Sequence, residues 1–366
     1  MKDINTIEIL NKLISIPSWV DEKTDEKEVG EWIFKFLKTN SSLKISKQQT
    51  GNGRFNVIAQ KGSKVKMLVT GHMDTVQPNA GWSMNPIKAK LVGNKLYGLG
   101  ASDMKCGVAI MLYLTTLPNL ENNTLFLFYC DEEYDFLGMK KFIEEYKDKI
   151  KPKLVISLDG SGSQIGNSCR GLIEIKVAVT GKAGHAANPK SGINAITESF
   201  KVIEKLKKWL LDIKSQELGN STLNIAYMNG GGSQGNIIAE KCEYIVEIRV
   251  ANQNLNANNV ADYIKTESVK LGLSVESIKI RHDLGSWITP GDKLERFSKL
   301  APVKKFKSAK KSGYIDIQML WEAFGKVPTF SLGAGEVSQA HKANEYAKIS
   351  SIIQAQKFFK TILTNK

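Results

Sequence analysis

A chain of 366 residues is long for a single core and short for three, so two domains are expected, and 42% hydrophobic with 24% charged residues is the balance of an ordinary globular protein. No apolar run reaches the ~18 residues that a membrane span needs. The net charge of +14 comes from 51 basic residues, of which 46 are Lys and 5 are Arg; they are scattered, and a phosphate-reading surface favours Arg, so nucleic-acid binding is set aside. The densest basic cluster, Lys304 to Lys311, reads as a solvated loop.

Residues Thr6 to Asn40 read as two helices. Ile4, Ile7, Leu10 and Leu13 fall roughly in register, and Val29, Trp32, Ile33, Phe36 and Leu37 share one face of a helix from Asp25 to Lys38. The N-terminal stretch lacks the continuous apolar core of a signal peptide, so a cytoplasmic protein is expected. Leu43 to Gln49 and Asn56 to Gln60 are strand-like, with a Gly51-Asn52-Gly53 turn between them. Next comes KMLVTGHMDTV, from Lys66 to Val76. It starts as a buried strand and changes character at His72 and Asp74. On an extended backbone those two side chains point the same way, which suits a metal-bound imidazole with a carboxylate to orient it. A strand-end histidine satisfied by a neighbouring carboxylate fits the same residues.

A hairpin from Ile87 to Tyr97 should turn at Gly93-Asn94. The small-residue loop Gly98 to Gly107 then delivers Asp103 into an apolar helix, Val108 to Leu117. This loop lacks both the GxGxxG spacing and a Walker ending, so nucleotide binding is not expected. The strand Thr124 to Cys130 ends in Asp131-Glu132-Glu133. Three adjacent acids there are unfavourable unless a cation or a proton compensates them, although a solvated acidic turn before a helix from Phe136 to Tyr146 is the alternative.

Leu154 to Leu158 ends in Asp159-Gly160, and Pro328 to Leu332 opens into Gly333-Ala334-Gly335-Glu336, with His341 close behind. Thus His72, Glu132, Glu133, Asp159 and His341 all follow the carboxyl ends of apolar strands, the edge where open α/β sheets bind ligands. The chain has four histidines, and its four cysteines (Cys106, Cys130, Cys169 and Cys242) form no CxxC pair, so carboxylates must supply most of any metal site.

Between Cys169 and His282 the pattern becomes βα-ββ-αβ, with alternating strands such as Leu172 to Thr180 and amphipathic helices from Asn194 and Asn259. The glycine run Gly230 to Gly232 separates two of these strands. The expected architecture is α/β: a discontinuous domain, with a mixed sheet and helices on both faces, at 1–168 and 283–366. An α+β, ferredoxin-like domain is inserted at 169–282.

In order, these motifs are Gly71-His72-Met73-Asp74-Thr75-Val76; Gly98, Gly100, Asp103, Met104, Lys105 and Gly107; Asp131-Glu132-Glu133; Asp159; Gly184-His185-Ala186; and His341. Together they resemble the co-catalytic zinc peptidases and deacylases, which include acetylornithine deacetylase, succinyl-diaminopimelate desuccinylase, glutamate carboxypeptidase, aminoacylase and several dipeptidases. The resemblance spans essentially the whole chain. It implies that His72 and Asp159 hold one zinc, that Glu133 and His341 hold the other, and that Asp103 bridges them and is followed by a cis peptide. Asp74 would orient His72, and Glu132 would be the general base for attack by a water whose pKa the two cations lower.

His185 resembles the family histidine that stabilises the oxyanion, supplied across a homodimer interface through the inserted domain in many members. The residues alone read as a surface histidine in a Gly-rich turn. Asn236 and Arg249 resemble substrate-facing positions of the lid, and Arg249 is equally readable as a salt-bridge residue. Cobalt or manganese would suit the same donors as zinc.

The implied activity is hydrolysis of a small N-acyl amino acid, with a dipeptidase, aminopeptidase or carboxypeptidase acting on short peptides as the alternative. Asp159 leans towards the dipeptidases and aminopeptidases, because many deacetylases and carboxypeptidases of the family carry Glu there. Leu99, Cys106, Lys342-Ala343 and the segment Ser312 to Asp316 also depart from common family residues, and none of these changes removes a ligand or the base.

Overall fold

The computed structural model describes residues 4–162, 164–231, 234–301, 306, 309–310 and 312–364. Apart from Phe306, Ala309 and Lys310, the lysine-rich cluster at 304–311 lies outside the described residues, as does Gly232 of the glycine run. The chain divides into two compact units: one comprises 1–167, 289–307 and 319–366, and the other comprises 168–288 and 308–318.

The first unit is built on a six-stranded mixed sheet. Its strands lie in the order Lys44–Gly51, Arg54–Lys61, Thr124–Tyr129, Met67–His72, Leu154–Ser157 and Thr329–Ser331. The last four run parallel to one another, and the first two form an antiparallel edge. Every residue of Thr124–Tyr129 is buried, which explains its unbroken β-branched and aromatic run at the centre of the sheet.

Helices Thr6–Ile14, Lys27–Asn40, Lys105–Thr115 and Ile349–Leu363 join this sheet in one core, which includes Leu10, Leu13, Ile33, Val108, Ile110, Phe126, Phe128 and Phe359. The first helix starts where the Asn5 side chain accepts the Ile7 N–H, an N-cap that satisfies one of the donors a helix start leaves open. Because these last four strands are parallel, their carboxyl ends lie along one edge of the sheet. Both glycines and acids gather there. At Gly335 a Cβ would sit 2.3 Å from the Ser102 carbonyl oxygen, so only glycine lets this loop close against the Asp103 loop.

The second unit is a four-stranded antiparallel sheet in the order Thr222–Gly230, Lys241–Val250, Gly171–Thr180, Ser274–Leu284. Helices Ala195–Asp212 and Ala257–Lys270 connect its strands and pack on them through Val202, Leu206, Val260 and Ile264. This interleaved βαββαβ order is the ferredoxin-like arrangement. Along Gly171–Thr180, Ile173, Ile175, Val177 and Val179 are buried while Glu174 and Lys176 are half-exposed, the alternation expected of a sheet with one covered face.

The unit extends beyond the expected boundary at 282. Its last long strand runs to Leu284, and the fully buried Trp287 pairs with Cys169. It also takes up residues 308–318, which had been expected in the catalytic portion: the Arg170 backbone N–H donates to Ser312 Oγ at 3.2 Å, and its guanidinium donates to the Ser312 carbonyl at 3.0 Å. Among the described residues no helix is long and apolar enough to cross a membrane.

Candidate metal centre

His72 is the last residue of the strand Met67–His72 and is buried. Its Nδ1 lies 3.1 Å from the Asp74 carbonyl oxygen and 3.5 Å from Asp74 Oδ1. With Nδ1–H donating there, Nε2 is the ring nitrogen left for a metal ion once its proton is released. Nε2 faces Asp103 Oδ1 at 3.2 Å. The other oxygen of Asp103, Oδ2, faces His341 Nε2 at 3.6 Å, and His341 Nε2 is 3.1 Å from the Glu133 carboxylate. One aspartate therefore presents a separate oxygen to each of two histidines.

Two donor sets share that aspartate: His72, Asp103 and Asp159, and Asp103, Glu133 and His341, with the donor atoms of each set within 4.8 Å of one another. Zinc bonds of about 2.0–2.2 Å in a tetrahedron place neighbouring donors roughly 3.3–3.6 Å apart, and the imidazole–carboxylate separations of 3.1–3.6 Å lie close to that spacing. The residues fit a pair of metal ions. Glu132 joins a third set with His72 and Glu133 that does not include Asp103. The Asp103–Met104 peptide bond is cis, as the resemblance implied.

The electrostatics point the same way. Burial alone would push the His72 imidazole down, but the hydrogen bonds to Asp103 and Asp74 outweigh it, and His72 titrates well above its ordinary range. Its hydrogen bond to Glu133 pushes His341 up to about 9. Burial raises Glu133, whereas for Asp103 the His72 hydrogen bond and charge outweigh burial and hold the carboxyl below its usual range. The site stabilises positive charge among its acids, and a metal ion supplies that charge with release of the imidazole protons.

Comparison with known proteins decides the family. The profile of peptidase family M20/M25/M40 matches residues 68–365. The chain belongs to this family. It is 28% identical over 377 residues to acetylornithine deacetylase of Buchnera aphidicola subsp. Schizaphis graminum, covering 98% of this chain and 97% of that protein. Its fold matches an M20 family metallo-carboxypeptidase from Sulfolobus solfataricus at a TM-score of 0.80 and 18% identity, covering 99% of each chain. It also matches a dinuclear metal binding peptidase of the M20 family from Bacillus subtilis at 0.71 and 16%, over 98% of this chain and 97% of that one. As an M20 member, the chain is a hydrolase of amide bonds.

In this M20 chain the three consecutive acids have three different environments. Asp131 is compensated by a guanidinium: Arg54 Nη2 donates to Asp131 Oδ1 at 2.5 Å, while Nε donates to Glu26 Oε2 at 2.7 Å. Glu132 and Glu133 donate their backbone N–H groups to Asp74, at 3.1 and 2.9 Å, and their carboxyl groups belong to the donor sets. Arg54 and Glu26 were not singled out in the sequence, and neither was Glu345, which accepts three backbone N–H groups of the Asp103 loop. The one sequence signal for Glu345 is an isolated acid just after His341.

The remaining expected site residues lie in the second unit. His185 is exposed, and its Nδ1 accepts the Ala187 N–H at 3.1 Å. The Ala186 N–H donates to the Asn236 carbonyl at 2.8 Å, which brings the segments of His185 and Asn236 side by side. Arg249 Nε donates to Glu247 Oε1 at 2.9 Å, so the salt-bridge reading of this arginine has its partner.

Proposed function

We propose that this M20 chain is a zinc-dependent amidohydrolase that releases the amine of a small N-acyl amino acid, as an acetylornithine deacetylase does. The observation that carries the proposal is the pair of donor sets sharing Asp103, with Glu132 beside a residue of each, His72 and Glu133. His72 and Asp159 would hold one ion, Glu133 and His341 the other, and Asp103 both. Bound there, the ions supply an acidified water and a polarised carbonyl. Cobalt or manganese fits the same donors.

Glu132 takes the proton of the attacking water and returns it to the leaving amine. Asp74 keeps the His72 tautomer and fixes the backbone of the Glu132-Glu133 pair. His185 serves the oxyanion, and Asn236 and Arg249 serve the substrate, Arg249 as a partner for a carboxylate. Cytoplasmic location and a homodimer through the inserted unit complete the reading. Thr222–Gly230 supports the dimer, because it is the edge strand of its sheet and an unpaired edge is a template for a second chain.

The peptidase alternative rests on Asp159. The deciding experiment is a panel of N-acetyl amino acids and dipeptides assayed with the zinc-loaded protein, with Glu132→Gln as control. Hydrolysis of the acyl amino acids that is lost in the control supports the deacylase. Turnover confined to dipeptides moves the chain to the peptidases, and an inert but metal-loaded wild type sinks both.

A further inference from the structure

Glu345 follows His341 by four residues and is 2% exposed. A carboxylate at that depth is costly unless its oxygens are hydrogen-bonded. Its partners are all backbone: Oε1 accepts the N–H groups of Ser102 at 2.6 Å and Asp103 at 2.9 Å, and Oε2 accepts the Gly100 N–H at 2.8 Å. Gly100, at φ +76°, turns the loop so that amides on both sides of Ala101 converge on one carboxylate. Without it, three donors in the interior would lack this acceptor.

The backbone of the Glu345 segment adds to the contact. The Gly98 N–H donates to the Glu345 carbonyl at 3.0 Å, and Ser102 Oγ donates to the Tyr346 carbonyl at 3.1 Å. Lys105, 2% exposed, places its Nζ on the Leu13 and Ile16 carbonyls at 3.0 and 2.9 Å, which fixes the residue that follows Met104 against the first helix and its exit. The loop that presents Asp103 is therefore clamped at Gly98, Gly100, Ser102 and Asp103 by the segment that also presents His341.

We infer that Glu345 is a positioning residue for the metal pair: by gripping the Asp103 amide and its neighbours it aims the two oxygens of the shared aspartate at His72 and His341. The inference rests on the two-metal reading above. A purely structural Glu345 would matter for folding and leave the metal affinity of the folded protein untouched. A positioning Glu345 sets that affinity, as hydrogen-bond partners behind metal ligands commonly do.

The test compares wild type, Glu345→Gln and Glu345→Asp. Each protein is stripped of metal, its melting recorded, and zinc binding measured against a competing chelator at a temperature where the stripped protein is folded. Gln keeps the shape but turns an N–H₂ towards amide donors. Asp keeps the charge but withdraws it by one methylene. Glu345→Gln should bind zinc about 10–100-fold more weakly, Glu345→Asp should lose less, and the loss should fall on both ions because Asp103 serves both.

Two ions held at wild-type affinity by both variants, whatever their melting temperatures, overturn the inference. If Glu345→Gln does not fold, Glu345→Asp decides alone, and wild-type affinity in it refutes the role. A wild type that holds no metal removes the two-metal reading itself, and this inference with it.

Discussion

The Asp74 carboxylate accepts the Glu133 backbone N–H on Oδ2 at 2.9 Å, and on Oδ1 it takes the adjacent amide, that of Glu132, at 3.1 Å. The same fully buried group stands 3.5 Å from His72 Nδ1. A single side chain thus ties the ends of two neighbouring parallel strands, so the imidazole and the two glutamates move together. Asp74→Asn can accept on one oxygen only, which leaves one buried amide without its partner. The expected results are a loss of about 1–3 kcal/mol in unfolding free energy and a roughly 10–100-fold fall in metal affinity. Urea titration and chelator competition measure the two separately, and wild-type metal affinity would remove Asp74 from the centre's support.

Glu132 and Glu133 are adjacent, yet only Glu133 shares a donor set with Asp103 and His341. Glu132→Gln should therefore keep both metals and lower kcat by about 10²–10⁴-fold, the usual worth of a general base. Elemental analysis of the purified variant is the check. Loss of one ion would make Glu132 a ligand, as its place beside His72 and Glu133 allows.

The donor residues were legible because the chain marks them with a change of character: apolar strands stop abruptly at His72, at Asp131-Glu132-Glu133 and at Asp159. A parallel sheet then collects those ends along one edge. What pattern reading could not supply is the partners that neutralise and aim them. Arg54 and Asp131 are 77 residues apart in sequence, and Glu345 is 245 from Gly100. Lys105 is legible as a member of the motif after Asp103, but not the burial of its ammonium on two carbonyls of the first helix and its exit, about ninety residues away in sequence. Periodicity sees one element at a time. The capture of 308–318 by the second unit rests likewise on distant contacts, among them Ser312 with Arg170 and Ala309 with Leu218 and Ala251.

Arg54 is the cation behind the acidic run. Its side chain is 11% exposed, against 1% for Glu26 and 5% for Asp131. Arg54→Met leaves two buried carboxylates facing each other without a counter-charge, a change that costs about 3–5 kcal/mol when a buried pair is broken. Adding Glu26→Gln and Asp131→Asn removes the stranded charges and should restore much of the stability. Urea unfolding of the single and triple variants tests this, and a single variant as stable as wild type would show that the cluster contributes nothing.

Chelation should act on one of the two units. All five proposed ligands belong to the unit formed by 1–167, 289–307 and 319–366, while the ferredoxin-like unit has its own core. A ligand that binds only the folded state stabilises it by about 2.7 kcal/mol at a hundred times its Kd. Two units with separate cores need not unfold in one step. Calorimetry of the zinc-loaded and stripped proteins is therefore expected to show one transition moving down by several degrees on stripping, and the other staying in place. Readdition of zinc should reverse the shift. If stripping leaves both transitions where they were, the donor sets around Asp103 hold no metal in solution, and the amidohydrolase mechanism proposed for this chain loses its foundation.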